Sequence, residues 1–187
     1  MRHIRQLWLL TFLLVHLSAG CRQTQDMDMA EIMKPAPRRA ELDRLDAFLG
    51  QWDWTTEVKD PSGKVIPGTG ASVVTWEADK RVLVEKYEGK VGEDRASFVA
   101  IWTYDPKTGV YPVFVADSQG NRSHGTITYD EATKSWNVRV TMNLSGGEKM
   151  DDEETLHFSD PKTMEWRSRV RAGGKTMIEI KGVARRK

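Results

Sequence analysis

Cys21 is the residue whose surroundings most clearly predict a chemical reaction. It is the only cysteine among 187 residues, and it follows a mostly apolar run at 7–17 and three small residues at 18–20. A basic start, an apolar segment too short to span a bilayer and small residues before a cysteine are typical of a lipoprotein signal. The pattern predicts that residues 1–20 are removed and that the Cys21 thiol accepts diacylglycerol. Further acylation with palmitate would then hold the chain firmly on a membrane.

The predicted location is the bacterial cell envelope. Arg22 follows the predicted acylation site, where an aspartate would favour the inner membrane, so we expect an outer-membrane anchor facing the periplasm. An ordinary secretory signal with an incidental cysteine is the alternative. Residues 21–40 contain Pro35 and Pro37 and few apolar side chains, which predicts a flexible tether before a domain at 41–187.

No other residues form a recognisable catalytic constellation. After residue 20 the only histidines are His124 and His157, and neither lies in a nucleophile motif. The acidic run at 151–154 follows two glycines and matches no metal-ligand spacing, which favours a solvated loop. We therefore predict no catalytic residues, no metal site and no cofactor, and an enzyme using either histidine is the least favoured hypothesis.

The composition limits the partners. Residues 1–20 carry two arginines and no acidic residue, so the remaining chain has a net charge of about −1 before histidine. A surface of this kind has no electrostatic attraction to nucleic acid. With 39% hydrophobic residues, the chain suffices for one domain with a real core. A single cysteine allows no disulfide within the chain.

A change of hydrophobic period marks the elements that must position any site. Within residues 41–49 the apolar residues fall three or four apart, which predicts a short amphipathic helix ending before Gly50; they are Leu42, Leu45, Phe48 and Leu49. From Trp52 onward the period is two, which is typical of strands with one apolar face. We predict about ten strands, near residues 52–59, 70–78, 81–88, 96–104, 110–117, 122–129, 135–144, 153–159, 163–172 and 175–184.

Short turns separate these strands. The sequences at 60–63 and 105–109 begin with Asp-Pro and end in glycine, and both are short enough to join antiparallel neighbours. An open sheet of ten strands would leave two exposed edges, whereas closure removes them. The predicted fold is all-β, an antiparallel up-and-down β-barrel with the helix closing one end or covering a wall. A two-sheet sandwich is the alternative.

The opening of the first predicted strand resembles a known group of barrels. Phe48-Leu49-Gly50-Gln51-Trp52 is similar to the glycine-x-tryptophan start of lipocalins, fatty-acid-binding proteins and other calycin-like proteins. The stretches at 103–106, 117–120 and 125–130 resemble an uncharacterised bacterial family of such barrels, a domain of unknown function. The resemblance covers roughly residues 41–185 and implies a calycin-like barrel. Haem-binding relatives carry a glycine pair after the tryptophan and a histidine near the C-terminus, and this chain has neither.

Aromatic side chains give the best indication of a ligand. The candidates to line a cavity are Trp52, Trp54, Trp76, Trp102, Tyr104, Tyr129, Trp136 and Trp166. An aromatic-lined barrel would suit a small hydrophobic or aromatic ligand. The same rings could instead simply fill the interior. The sequence leaves both readings open.

A second hypothesis concerns the outer wall. The runs at 98–104 and 110–116 are apolar on both faces, so something should cover their outer side. The predicted helix is the first candidate and a partner subunit the second. We therefore predict a lipid-anchored protein that binds a small hydrophobic molecule. The alternative is a protein-interaction or structural envelope lipoprotein with a filled barrel.

Overall fold

Ten antiparallel strands follow one short 3₁₀ helix. The computed structural model describes Ala30, Lys34, Pro35 and residues 37–187. The helix, here called the plug helix, spans Ala40–Phe48. The strands are β1 Gly50–Lys59, β2 Val65–Glu77, β3 Val82–Val91, β4 Asp94–Trp102, β5 Tyr111–Asp117, β6 Arg122–Asp130, β7 Ser135–Asn143, β8 Lys149–Asp160, β9 Thr163–Ala172 and β10 Lys175–Arg186.

The sheet closes on itself. Each strand pairs with its neighbours in sequence, and β1 pairs with β10 from Trp52 opposite Arg186 to Lys59 opposite Glu179. Because β1 bonds to β10 on one side and to β2 on the other, neither terminal strand leaves an open edge. The predicted up-and-down antiparallel barrel is confirmed, and the sandwich alternative is wrong.

The plug helix fills one end of the barrel. Leu42, Leu45 and Phe48 are all buried. Because a 3₁₀ helix has three residues per turn, side chains three apart lie in one line along its surface. The Phe48 ring packs edge-on against Trp102 and Trp136, with centroids 4.8 and 5.1 Å away. The helix lies inside the barrel end and does not cover the outer side of β4 and β5.

Polar contacts fix the plug helix in place. The Tyr111 hydroxyl donates to the Glu41 carbonyl at 2.8 Å, and Trp76 Nε1 donates to the Asp46 carboxylate at 2.7 Å. From the sheet, Trp52 Nε1 donates to the Phe48 carbonyl at 2.7 Å. These bonds join the helix to three separate strands, so the closed end is rigidly assembled.

The two halves of the barrel differ in packing. Inward-facing side chains near the plug helix are almost completely buried, as Trp52, Leu83 and Tyr111 show. At the opposite end, inward-facing side chains such as Val58 and Ile180 are only half-buried. Since these side chains face the interior, solvent reaches them through the end of the barrel. We call that end the mouth.

Two strands begin earlier than predicted. β2 begins at Val65 and not near residue 70, and β8 begins at Lys149 and not near residue 153. The acidic run at 151–154 was predicted to be a solvated loop, and this prediction is wrong because the run lies within β8. Alternation along β8 exposes Asp151 and Glu153 and directs Asp152 and Glu154 inward.

The outer wall of β4 and β5 remains apolar and uncovered. Val99, Ile101 and Phe114 are 41%, 42% and 56% exposed. The predicted cover by the helix is therefore wrong. Among the described residues, none of the helices has the length and apolar character needed to cross a bilayer. The predicted signal and the acylation site at Cys21 lie outside the described residues.

Candidate functional site in the open half of the barrel

Four aromatic rings line one side of the lumen beyond the plugged half. They are Trp54 on β1, Tyr87 on β3, Phe98 on β4 and Trp166 on β9, and we call them the aromatic arc. Tyr87 stacks on Phe98 with centroids 4.8 Å apart and an angle of 14°. Trp54 meets Tyr87 and Trp166 edge-on at 6.3 and 6.0 Å. All four rings are half-buried, so they present apolar surface to the lumen.

Glycines on the intervening strands make room for these rings. A Cβ on Gly70 or Gly89 would stand within 2.4 Å of the Tyr87 hydroxyl oxygen. A Cβ on Gly182 would stand 2.2 Å from Trp166 Nε1. The rings of Tyr87 and Trp166 therefore pack against the backbone of these glycines, in space that a larger residue would fill.

The eight predicted lining residues divide between the two halves. Only Trp54 and Trp166 belong to the aromatic arc. The other six pack at the plugged end: Trp52, Trp76, Trp102, Tyr104, Tyr129 and Trp136. Six of the predicted rings therefore fill the interior at the plugged end, and two lie in the open half.

Three carboxyl groups share the lumen with the aromatic arc. Glu85 projects from β3, and Asp152 and Glu154 project from β8, which stands five strands away in either direction round the barrel. We call these three residues the acidic cluster. Glu85 is 7% exposed and Asp152 is 8% exposed. Carboxyl groups are rarely buried this deeply without a partner of opposite charge.

Serines provide hydrogen bonds to the acidic cluster. Trp54 Nε1 donates to Ser72 Oγ at 2.9 Å, and the Ser72 hydroxyl in turn bonds to Glu85. On the other side, Ser168 Oγ donates to Asp152 Oδ1 at 2.6 Å. The first of these chains connects the aromatic arc directly to the acidic cluster.

Burial dominates the electrostatics of the cluster. It raises the pKa of Glu85 to about 7, and the hydrogen bond from Ser72 opposes this rise. Burial also raises the pKa of Glu154 well above its ordinary value, and the charges of Asp152 and Glu85 raise it further. The pKa of Tyr87 is raised by burial and by the charge of Glu85. In each case the raised pKa means that the neutral form of the group is favoured over the negatively charged form in the lumen.

Positive charge does not balance these groups. Among buried and half-buried inward-facing positions of the ten strands, the only basic residue is Arg186, at the plugged end. Lys175, opposite Ala172, is exposed beside the turn at the mouth. The guanidinium of Arg186 lies 4.6 Å over the Trp52 ring and donates to the Ala47 carbonyl. No ion pair within residues 37–187 includes a member of the acidic cluster.

One hydrogen-bond donor in the arc is also unsatisfied. Trp166 Nε1 is buried and has no acceptor among the described residues. An inward Cβ on Gly182 would meet this atom, which places Nε1 on the lumen side of that backbone. A buried donor without an acceptor is rare in native proteins, and it is commonly met by water or a ligand.

A recess of about 540 Å³ is lined mainly by outward-facing residues of β1, β2, β8, β9 and β10, together with Ser168 and Ile180. Its charged side chains pair with one another, with Lys181 on Glu57 at 2.8 Å and Lys59 on Glu179 at 3.8 Å. These groups are exposed and already neutralised by their partners. A charged ligand would have to displace these pairs in order to bind in the recess.

Neither histidine reaches the lumen. His124 on β6 and His157 on β8 are both exposed on the outer wall, and His157 Nε2 lies 3.7 Å from the Glu165 carboxylate. Within the described part of the chain, no group of three or more acidic, histidine or cysteine side chains could hold a metal ion. An enzyme built on either histidine would have to act at the surface.

Sequence reasoning missed most of the polar part of this site. Glu85, Asp152, Ser72 and Ser168 were not predicted to line the lumen, although all four are buried. The signal that could have found them is alternation: Glu85 lies two residues from both Leu83 and Tyr87, on the face of β3 that carries the apolar residues.

Comparison with known proteins supports the fold. No protein-family model and no curated protein sequence match this chain. Among solved structures, Rv2717c from M. tuberculosis superposes with a TM-score of 0.62 at 15% identity, over 81% of this chain and 99% of that one. The barrel is calycin-like. The S-type phycobiliprotein lyase CPES from Guillardia theta superposes with a TM-score of 0.55 at 12% identity, over 82% of this chain and 98% of that one.

Proposed function

We propose that this chain is a lipid-anchored envelope protein whose barrel binds a small aromatic or hydrophobic molecule at the aromatic arc. The observation that carries the proposal is the combination of a plugged end with half-buried rings in the open half. A ligand that enters at the mouth would cover the exposed ring surface of Trp54, Tyr87, Phe98 and Trp166. Burial of apolar surface drives such binding at roughly 25 cal/mol per Å².

The shape of the barrel supports binding more than a purely structural role. A barrel that serves only as a scaffold gains stability by filling its interior completely, as the plugged half does here. The open half instead leaves aromatic surface partly accessible, and the Tyr87 and Trp166 rings pack over the glycines at positions 70, 89 and 182. Concave sites with apolar walls and a few polar groups are typical of small-molecule binding.

Two phenylalanines provide a matched test. Phe98 belongs to the aromatic arc, whereas Phe114 is exposed on the outer wall. We expect the uncharged probe N-phenyl-1-naphthylamine to gain fluorescence with the purified protein. Phe98→Leu should weaken binding several-fold because it removes ring surface from the arc, whereas Phe114→Leu should leave it unchanged. Absence of binding, or equal loss in both variants, would contradict the proposal.

A further inference from the structure

We propose that the molecule bound in the lumen is a flat aromatic compound with a cationic N–H group, such as an ammonium or amidinium, directed at Glu85, Asp152 and Glu154. This inference rests on the proposed function, since it assigns the chemistry of the same site. The apolar part of the ligand would lie on the aromatic arc. Its cationic group would supply the positive charge that the described lumen lacks.

The first argument is charge balance. Three carboxyl groups project into one lumen. The only buried or half-buried basic residue facing the interior from the ten strands is Arg186, which is engaged at the plugged end, while Lys175 is exposed at the mouth. Deprotonation of buried carboxyls without a partner is costly, which is why the pKa values of Glu85 and Glu154 are raised. A bound cation that donates hydrogen bonds would reverse this cost.

The second argument is independent of the carboxyl groups. Trp166 Nε1 is buried on the lumen side of Gly182 and has no acceptor within residues 37–187. This donor needs an acceptor, which a cationic N–H group cannot supply, so it is met by water or by another part of the ligand. The rings around it favour a cation, because the faces of tryptophan and tyrosine rings attract positive charge.

Neighbouring groups determine how binding depends on pH. Glu85 lies opposite Val74 on β2 and Ala100 on β4, is bonded by Ser72 and lies near Tyr87. Asp152 and Glu154 are faced by Val138 and Val140 on β7 and by Ser168 and Val170 on β9. The titratable groups at the site are therefore the acidic cluster itself and the phenol of Tyr87.

This arrangement couples the binding of a cation to the release of a proton. Below pH 7 Glu85 is largely protonated and must lose its proton before it can pair with a cation. Affinity for the cation should therefore rise between pH 5.5 and pH 8. Affinity for a neutral molecule of the same shape should not rise over that interval.

Three compounds with the same ring test the inference: tryptamine, 3-ethylindole and indole-3-propionate, which are cationic, neutral and anionic. Each is titrated into the purified full chain and its competition with N-phenyl-1-naphthylamine is measured. At pH 8 we expect tryptamine to bind roughly tenfold more tightly than 3-ethylindole, as one charge-assisted hydrogen bond would give. Indole-3-propionate should bind most weakly.

Carboxamide variants identify the groups responsible. The Glu85→Gln and Glu154→Gln variants should each reduce the preference for tryptamine, and the double variant should abolish it while 3-ethylindole still binds. Glu88→Gln, on the exposed face of the same strand as Glu85, should keep the preference. Melting curves establish that each variant is folded.

Two results would overturn the inference, and they differ. Equal affinity of the unmodified chain for tryptamine and 3-ethylindole would contradict the assignment of a cationic group to the ligand, but not the proposed binding at the aromatic arc. If neither the three compounds nor the naphthylamine probe bind, both the proposed function and this inference are contradicted.

Discussion

Glu85 and Glu154 enter the lumen from opposite walls of the barrel, and the charge of Glu85 raises the pKa of Glu154. Strands β3 and β8 are far apart in sequence and are not hydrogen-bonded to each other. Only closure of the sheet brings these two side chains into the same electrostatic environment. The stability of the barrel should therefore depend on pH in a way that an open sheet of the same strands would not show.

The first prediction concerns this dependence. Burial raises the pKa of Glu85 from 4.5 to about 7, so the folded chain holds the proton more tightly than the unfolded chain does. Its stabilisation is complete below about pH 4.5 and is lost as the pH rises through about 7, a change on the order of 3 kcal/mol. Glu85→Gln should flatten this fall in the free energy of unfolding, measured by urea denaturation between pH 5 and pH 8.

A control for that measurement lies on the same strand. Glu88 is exposed on the outer face of β3. Glu88→Gln should therefore leave the pH dependence of unfolding unchanged. If Glu85→Gln shows the same fall as the unmodified chain, the burial assigned to this carboxyl group is wrong.

The second prediction concerns the backbone beneath Trp166. A methyl group at position 182 would meet the indole, so Gly182→Ala should push the ring toward the centre of the lumen. We expect at least a several-fold loss of affinity for N-phenyl-1-naphthylamine and a lower midpoint of thermal unfolding. Gly146→Ala provides the comparison, because there the close atoms belong to the flexible end of Glu148. If the two variants bind N-phenyl-1-naphthylamine with similar affinity, the lumen is not narrow beside Trp166.

The third prediction concerns the plug helix. Phe48 is 3% exposed and contacts Trp102, Trp136 and Phe158. Phe48→Ala should destabilise the fold by about 3–5 kcal/mol, as deletion of a fully buried ring does. Phe114→Ala makes the same change at a ring that is 56% exposed and should cost less than about 1 kcal/mol. Chemical denaturation measures both, and comparable losses would show that the helix contributes little to the core.

The fourth prediction concerns the proposed anchor. Cys21→Ser removes the only thiol that could accept a lipid. In cells supplied with labelled palmitate, the variant should lose the label and leave the membrane fraction. Ser18→Ala keeps a small residue before the predicted cleavage site, so this variant should keep the label and stay in the membrane fraction. A chain that stays labelled without Cys21 would disprove the proposed attachment.

The barrel itself could be predicted because its determinants are local. Alternation of apolar and polar residues and short turns of the Asp-Pro type specify strands and antiparallel neighbours without knowledge of distant contacts. The plug helix was predictable for the same reason, since Leu42, Leu45 and Phe48 share one face in any helix with about three residues per turn.

The inward-facing acidic residues of β8 were harder to predict. Four consecutive acidic residues at 151–154 have the composition of a solvated loop. The interior position of Asp152 depends on its pairing with Val140 on β7 and Val170 on β9, which are inward-facing themselves. The start of β2 was missed for a related reason, because Pro67 and Gly68 are poor strand formers unless neighbouring side chains require the space.

The division of tryptophans between the two halves also depends on three-dimensional contacts. Trp52 and Trp54 occupy the same face of β1, two residues apart. Trp52 is buried against the plug helix, whereas Trp54 is half-buried and bonds to Ser72. Alternation predicts that both rings face the interior of the barrel. Which of them a ligand could contact depends on how far the plug helix extends into the barrel.

The turns at the mouth have a kinetic consequence. At this end the strands are joined by the segments at 60–64, 92–93, 118–121, 144–148 and 173–174. None of these described segments is long enough to fold across the opening as a lid. Exchange of a bound molecule would then require no slow conformational step, and its residence time would follow directly from how strongly the interior holds it.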